Sequence, residues 1–269
     1  MPSMAPESIE LLEHYAGVSK NDMEKHIYSI RDEAWDIMPY PCIGAFMFLT
    51  LRLCALPEYP ALLSRLKNGH TFLDLGCCFG QDIRKLIFDG VPADQLLGCD
   101  YERSLLEVGF ALFHDKDTMF NRFIDADFFD DHGKLFQHKQ TFDIIHIAMF
   151  LHLMNRHTQL LAIDRIFSLI SKKPGSLIMG SQIGSFQAGE EPLRHDAAKT
   201  VFLHNESSFQ NLWREAAKEK NLRLKINMTI NKSQTDALKP TIDEKDGKIR
   251  DIYFTGPKFN YYDFIIELL

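Results

Sequence analysis

The chain has 269 residues, 45% of them hydrophobic and 25% charged, which suits one medium-large or two small globular domains and excludes disordered, collagen-like and disulfide-scaffold classes. Its 30 lysines and arginines against 37 acids leave a net charge of −7, which argues against electrostatic capture of a DNA or RNA backbone. Five cysteines (Cys42, Cys54, Cys77, Cys78, Cys99) without CxxC spacing, and a start, MPSMAPESIE, lacking a basic-then-apolar leader, predict a reduced, cytoplasmic protein.

Residues 7 to 68 read as helices. LEHYAGVSKNDMEKHIYSIRDEAWDIM carries apolar residues at helical spacing until Pro39 and Pro41 interrupt it. The run Cys42 to Leu56 carries Arg52 and is too short for the roughly 20 residues of a bilayer crossing, so no membrane span is expected, only a buried helix or an apolar wall. This N-terminal helical cap (1–68) precedes a core (69–269) in which short apolar runs alternate with helical patterns: TFLDL, QLLGC, RFIDA, FDIIHIA and SLIMG. Near-continuous apolarity in FDIIHIA and SLIMG suits central strands covered on both faces, which predicts an α/β fold with a mostly parallel, doubly wound sheet. Gly180 to Asp196, with Glu190, Glu191, Arg194 and His195 as a solvated face, reads as a long turn-rich loop of the kind that forms lids. Ser207 is a candidate N-cap for the next helix, and Arg223 to Ile230 reads as a strand. Either IYFT (252–255) or YYDFIIELL (261–269) could pair with it, and the polar stretch 231–249 reads as an exposed loop.

The strongest chemical signal is TFLDLGCCFGQ (71–81), an apolar strand entering a glycine turn and then a helix. Such turns place a ligand at the carboxyl edge of the sheet. A dinucleotide fingerprint starting at Gly76 fails at Cys78 and Gln81. Asp74, Gly76 and Gly80 instead fit D-x-G-x-x-x-G, where backbone passes close to a small ligand, and this resembles motif I of class I methyltransferases. In that class the motif acid, here Asp74, lies near the cationic amino acid half of S-adenosylmethionine. Asp100, about 20 residues past the turn at the end of LLGCD, stands where a ribose acceptor is needed, with Tyr101 beside it. Asp127 and Phe128 follow the third strand, where this class takes the adenine amino group and covers the ring, and Ala148 ends the fourth. Three acids ending three successive strands across residues 72 to 128 are far more specific than any one of them.

His146 lies inside an apolar strand and reads as a core histidine, and His157 as a surface residue. His152 lies just past that strand, where the class places residues facing the acceptor, and it is the candidate catalytic base. Ser181 and Gln182 open the segment after the fifth strand and are candidates for acceptor hydrogen bonds, with turn chemistry as the alternative. The spacing of cysteines, histidines and acids gives no closed metal set, and no metal is predicted. There is neither a G-x-S-x-G elbow nor a GxxxxGK[ST] loop.

MPYPCIGAFMFL (38–49), LDLGCCFGQDIRKL (73–86), FLHL (150–153), GSQ (180–182) and SFQNLW (208–213) together resemble a fungal secondary-metabolite methyltransferase family, the carboxyl methyltransferases of meroterpenoid pathways such as those to austinol and terretonin. The resemblance covers nearly the whole chain. It implies a Rossmann-like class I fold with seven strands, S-adenosylmethionine as cofactor, no metal, and a carboxylate on a small lipophilic acceptor. Met47 stands where related sequences often carry a basic residue, which leaves Arg31, Trp35 and Tyr40 as the polar-edged candidates of the cap. An ionised carboxylate needs no general base, whereas a phenol would need one, and His152 would then be that base. Two alternatives stand beside this: a protein that keeps the cofactor but cyclises its ligand, and a non-catalytic partner using the apolar face around Phe46, Phe48, Leu49 and Leu53. That face also suits ordinary core packing, or a homodimer contact.

Overall fold

The computed structural model describes all residues except 1, 3, 194–195, 238–240, 243–248 and 251–257. The chain divides into two units, residues 1–142 and 143–269. A mostly parallel seven-stranded sheet with helices around it realises the α/β class read from the alternating runs.

In the first unit, α1 (Pro6–Glu10) runs into a π-helical turn (Leu11–Tyr15), and α2 (Lys20–Ile37) starts where the Ser19 hydroxyl accepts from the Asp22 N–H at 3.2 Å. The buried stripe of α2, Met23, Ile27, Ile30 and Ala34, follows the helical period. It joins Leu11, Leu12, Phe79, Leu105, Val108 and Leu112 in one apolar cluster, so the N-terminal helices share a core with the sheet-covering helix α5 introduced below. The apolar run from Cys42 is a wall and not a helix. A four-residue turn of helix (Pro41–Gly44) stops at Phe46, whose φ of 57° is left-handed, and short turns then bury Phe48, Leu49, Leu51 and Leu53. After α3 (Tyr59–Lys67) come β1 (Phe72–Leu75), α4 (Gln81–Phe88), β2 (Leu96–Asp100), α5 (Arg103–Phe113) and β3 (Phe123–Asp125). Here β1 and β3 flank β2, all parallel.

In the second unit, β4 (Ile144–Ala148) leads through α6 (Arg156–Leu169) to β5 (Leu177–Ser185), its parallel neighbour. The lid expected at 180–196 is not a loop. Strand β5 continues to Ser185, and β6 (Gly189–Leu193) and β7 (Asp196–Leu203) form a hairpin after it. Glycine at 180 reads as a breaker but serves the strand, because a Cβ there would lie 1.9 Å from the Ile147 carbonyl oxygen. Arg194 and His195 lie outside the described residues.

Helix α7 (Glu206–Glu219) is capped by Asn205 and not by Ser207. Asn205 Oδ1 accepts from the Ser208 N–H at 2.9 Å while the Ser208 hydroxyl accepts from the Asn205 N–H at 3.1 Å, a reciprocal box that only residues three apart can close. Strand β8 (Leu224–Ile230) pairs antiparallel with β9 (Phe259–Leu268), which pairs antiparallel with β5. The 261–269 run is thus the partner of β8, and IYFT lies outside the described residues. Within the polar stretch expected to be loop, Lys232–Ala237 forms a short helix. No helix among the described residues is long and apolar enough to cross a membrane.

Candidate active site

The first unit holds the glycine turn. Strand β1 ends at Leu75, and the chain turns back through three left-handed residues, Gly76 (φ 73°), Cys78 (φ 51°) and Gly80 (φ 63°), before α4 begins. An L-residue in this region costs roughly 1–2 kcal/mol, so Cys78 occupies a position made for glycine. Its N–H donates to Asp100 Oδ2 at 2.7 Å, which holds the turn in that shape. The N–H groups of Gly76 and Cys77 donate to the Cys99 carbonyl at 2.8 and 3.1 Å, tying the turn to β2. Gly109 lets α5 approach: a Cβ there would lie 2.6 Å from the Phe79 carbonyl oxygen.

Asp74 and Asp100 stand close enough to repel. Burial, and behind it the Asp74 carboxylate, push the Asp100 carboxyl above its ordinary range, while the N–H groups of Glu102 and Cys78 pull it back. Asp100 Oδ2 accepts the Cys78 N–H at 2.7 Å and Oδ1 the Glu102 N–H at 3.1 Å. A buried Asp74 and a half-buried Asp100 beside a left-handed turn suit a ligand that presents a diol and a positive charge, and S-adenosylmethionine carries both. Burial and the adjacent Asp74 raise the Cys77 thiol well above its usual range, so it stays protonated and inert.

Asp127 is exposed and accepts from the Phe129 N–H at 2.8 Å, fixing the turn that follows β3. Phe128 is buried and meets the Phe129 ring edge to face, whereas Tyr101 is 73% exposed beside Asp100. On α2, Tyr28, Arg31 and Trp35 share one face at i−3, i and i+4. The Arg31 guanidinium lies over the rings of Tyr28 and Phe46, 5.3 and 5.2 Å from their centroids. Tyr28, Trp35 and Tyr40 are all exposed.

One part of the first unit was not foreseen from the sequence. Arg84, in the first turn of α4, is 1% exposed and forms a two-pronged ion pair with Asp115, Nε to Oδ2 at 2.7 Å and Nη2 to Oδ1 at 2.8 Å. Its third nitrogen, Nη1, donates to the Phe79 and Gly80 carbonyls at 2.6 and 3.3 Å, the closing residues of the glycine turn. The rings of Phe113 and Phe123 flank the guanidinium at 4.6 and 4.7 Å. QDIRKLIF reads only as the helix after the glycine turn, and nothing within it marks Arg84 as buried; the apolar packing around α4 does.

In the second unit, Ala148 ends β4 opposite Ser181, and Met149 turns left-handed (φ 55°) with its N–H on the Ser181 carbonyl at 2.7 Å. His146 is buried in β4 and His157 is exposed on α6, as their settings in the sequence suggest. His152 is buried in the short turn Leu151–Leu153. Because β5 continues through residue 185, Ser181 and Gln182 face opposite sides of the sheet and do not meet one ligand together. The Ser181 hydroxyl lies 2.9 Å from the Tyr261 hydroxyl, and Gln182 Oε1 is buried with no hydrogen-bond partner among the described residues.

The loop bearing His152 is held by Gln159, whose Nε2 donates to the Met154 and Phe202 carbonyls at 2.9 and 2.8 Å. Its Oε1 therefore accepts from His204 Nε2 at 2.8 Å, which leaves His204 Nδ1 to accept from the Ser208 hydroxyl at 2.9 Å. Burial, with a smaller effect of the Arg156 charge, lowers the His204 pKa from 6.5 to about 4. The unfolded chain then binds the extra proton first. Stability is full above about pH 6.5 and falls as the pH drops toward 4, by about 3 kcal/mol in all. Urea unfolding at pH 7.5 and pH 4.5 measures this loss, and most of it should vanish in His204→Gln.

A family model described as meroterpenoid methyltransferase N-terminal domain matches residues 1–49. The O-methyltransferase atr3 of Stereocaulon alpinum is 37% identical over 207 residues, 76% of this chain and 60% of its own length, so this chain aligns with less than two thirds of that relative. The asnovolin E/chermesin D methyltransferase nvfJ of Aspergillus novofumigatus is 35% identical over 219 residues, covering 80% of this chain and 78% of the relative. Among solved structures, the [4+2]-cyclase SpnF superposes with a TM-score of 0.50 at 13% identity, over 77% of this chain and 78% of that one, a likeness of fold alone.

Proposed function

The chain belongs to the fungal secondary-metabolite methyltransferases, a family that uses S-adenosylmethionine, and on that premise we propose that it methylates a carboxylate of a lipophilic meroterpenoid or polyketide-derived small molecule. The observation that carries this reading is Arg31, a guanidinium seated on two aromatic rings within the family-matched domain, on the same helix face as the exposed Trp35. Arg31 Nε already pairs with Asp32 Oδ1 at 2.5 Å, so an acceptor carboxylate would be received through its Nη groups, and aromatic faces receive a fused apolar ring system. The relative nvfJ, by its name, acts on asnovolin E and chermesin D, which supports a terpenoid acceptor here.

In this reading Asp100 takes the ribose hydroxyls, Asp74 stands by the cationic end of the cofactor, Asp127 takes the adenine amino group, and Gly76 admits the ligand to the backbone, while the absent Cβ of Gly80 makes room for the Phe123 ring, 2.3 Å from where it would lie. When bound, S-adenosylmethionine supplies an electrophilic methyl group on a sulfonium. Carboxylates with ordinary pKa values near 4 are ionised at neutral pH, so the chain has to bind, orient and exclude water but not remove a proton.

The test is product mass after incubation with S-adenosylmethionine and paired panels of terpenoid carboxylic acids and phenols. Acids should gain one methyl group. Arg31→Gln should raise the acceptor KM roughly tenfold, the loss of one charge-assisted contact, with kcat little changed. His152→Ala should alter kcat by only a few fold. A loss of roughly 10²–10⁴ in that variant, confined to phenols, would instead assign His152 as a general base and a phenol as acceptor. A product of unchanged mass would replace methyl transfer by ligand rearrangement.

A further inference from the structure

The N-terminal domain reaches the glycine turn through an unbroken set of hydrogen bonds. Residues 11–15 form a π-helix, in which the Ala16 N–H reaches back to the Leu11 carbonyl at 3.2 Å. Such wide turns are rare and recur at functional positions. This one ends on Tyr15, whose hydroxyl donates to Asp115 Oδ2 at 2.8 Å, a hundred residues away in sequence. The same oxygen accepts from Arg84 Nε, and Arg84 Nη1 holds the Phe79 and Gly80 carbonyls. Burial, then the Asp115 charge, keeps the Tyr15 phenol protonated, so it is a permanent donor. With one neutral and one cationic donor on Asp115 Oδ2, the carboxylate has a single favourable orientation. The guanidinium clamped to both of its oxygens is then fixed in turn.

We propose that Tyr15 is a positioning residue for the cofactor: acting through Asp115 and Arg84, it sets the closing half of the left-handed turn, so that the N-terminal domain controls cofactor affinity. This rests on the reading that the turn at 76–80 binds S-adenosylmethionine. Tyr15 touches no ligand in this scheme, and its hydroxyl is the only group that has to be removed to test it.

The experiment compares the full-length wild type, Tyr15→Phe and Ile27→Val by calorimetric titration with S-adenosylhomocysteine and by thermal unfolding with and without it. Ile27 lies in the same N-terminal core but outside the hydrogen-bond chain, so its variant reports what loss of packing alone does. Tyr15→Phe should bind S-adenosylhomocysteine about three- to thirtyfold more weakly, the range of coupling through contiguous side chains, and its ligand-induced rise in Tm should shrink. Ile27→Val should lower the Tm of free and saturated protein equally and keep the wild-type Kd. Wild-type affinity in Tyr15→Phe overturns the proposal, as does an equal loss in Ile27→Val, which would mark general softening of the domain. A folded wild type that binds no S-adenosylhomocysteine removes the cofactor reading itself, and this inference with it.

Discussion

Asp100→Ala should bind S-adenosylhomocysteine roughly 10²–10³-fold more weakly than the wild type while remaining folded. Two effects add. On the proposed cofactor reading the variant loses the acceptor for the ribose hydroxyls, where each hydrogen bond to a charged group is worth roughly 1.5–3 kcal/mol. It also leaves the Cys78 N–H without the oxygen that receives it at 2.7 Å, and Cys78 is the one residue of the turn that pays for a left-handed φ. The turn therefore loses both its ligand and the contact that shapes it.

Stability should change less, because removing Asp100 also removes its repulsion with Asp74. Asp100→Asn separates the two effects. An amide oxygen can still receive the Cys78 N–H, although the amide nitrogen then faces the Glu102 N–H that Oδ1 receives in the wild type; the charge that strengthens the ribose contacts is gone, and affinity should fall between wild type and Asp100→Ala. The raised Asp100 carboxyl adds a sign to the pH dependence. Protonation removes an acceptor, so affinity should decline on acidification at a pH above the ordinary carboxylate range. Calorimetric titration reads all of these, and unchanged affinity in Asp100→Ala would move the cofactor away from this turn.

The parts of this site legible in the sequence are those whose chemistry is written locally. Each of Asp74, Asp100 and Asp127 sits in or just after an apolar run, and the structure places them in β1, at the end of β2 and just past β3. Cys78 was legible as a departure from glycine, but only its φ shows that the backbone keeps the glycine conformation. The segment after Gly180 was misread for a physical reason. Glycine and serine signal turns on average, yet here Gly180 is demanded by a backbone 1.9 Å from its absent Cβ, and the strand runs on for five further residues. That error placed Ser181 and Gln182 side by side on a loop when strand geometry sends them to opposite faces.

Long-range polar contacts were illegible altogether. Nothing local distinguishes Arg84 from its neighbour Lys85, which pairs with Asp89 one turn on, because both have the spacing of solvated helix residues. Arg84 is buried by what packs over it, Phe110, Phe113 and Phe123, all at least 26 residues away in sequence. The capping box at Asn205 shows the same limit at shorter range. Ser207 and Asn205 are both good caps by residue type, and only the reciprocal bonds between Asn205 and Ser208 choose between them.

Arg84→Met should cost about 3–5 kcal/mol of stability, since it leaves the Asp115 carboxylate buried with Tyr15 as its remaining side-chain donor. Asp115→Leu should cost a similar amount by leaving the guanidinium uncompensated. The informative variant is the double one. Replacing both charges by apolar groups of comparable size removes two desolvation penalties at once, and the aromatic rings that flank Arg84 can pack against methionine and leucine as well as against the ion pair. Arg84→Met/Asp115→Leu should therefore recover most of the stability that either single variant loses, as read by urea unfolding. It cannot recover the donor to the Phe79 carbonyl, because no apolar side chain supplies one. Affinity for S-adenosylhomocysteine should stay reduced in a protein whose stability has returned. That split would mean the ion pair is kept for the shape of the turn, whereas recovery of both properties together would reduce Arg84 and Asp115 to a packing element that hydrophobic residues can replace.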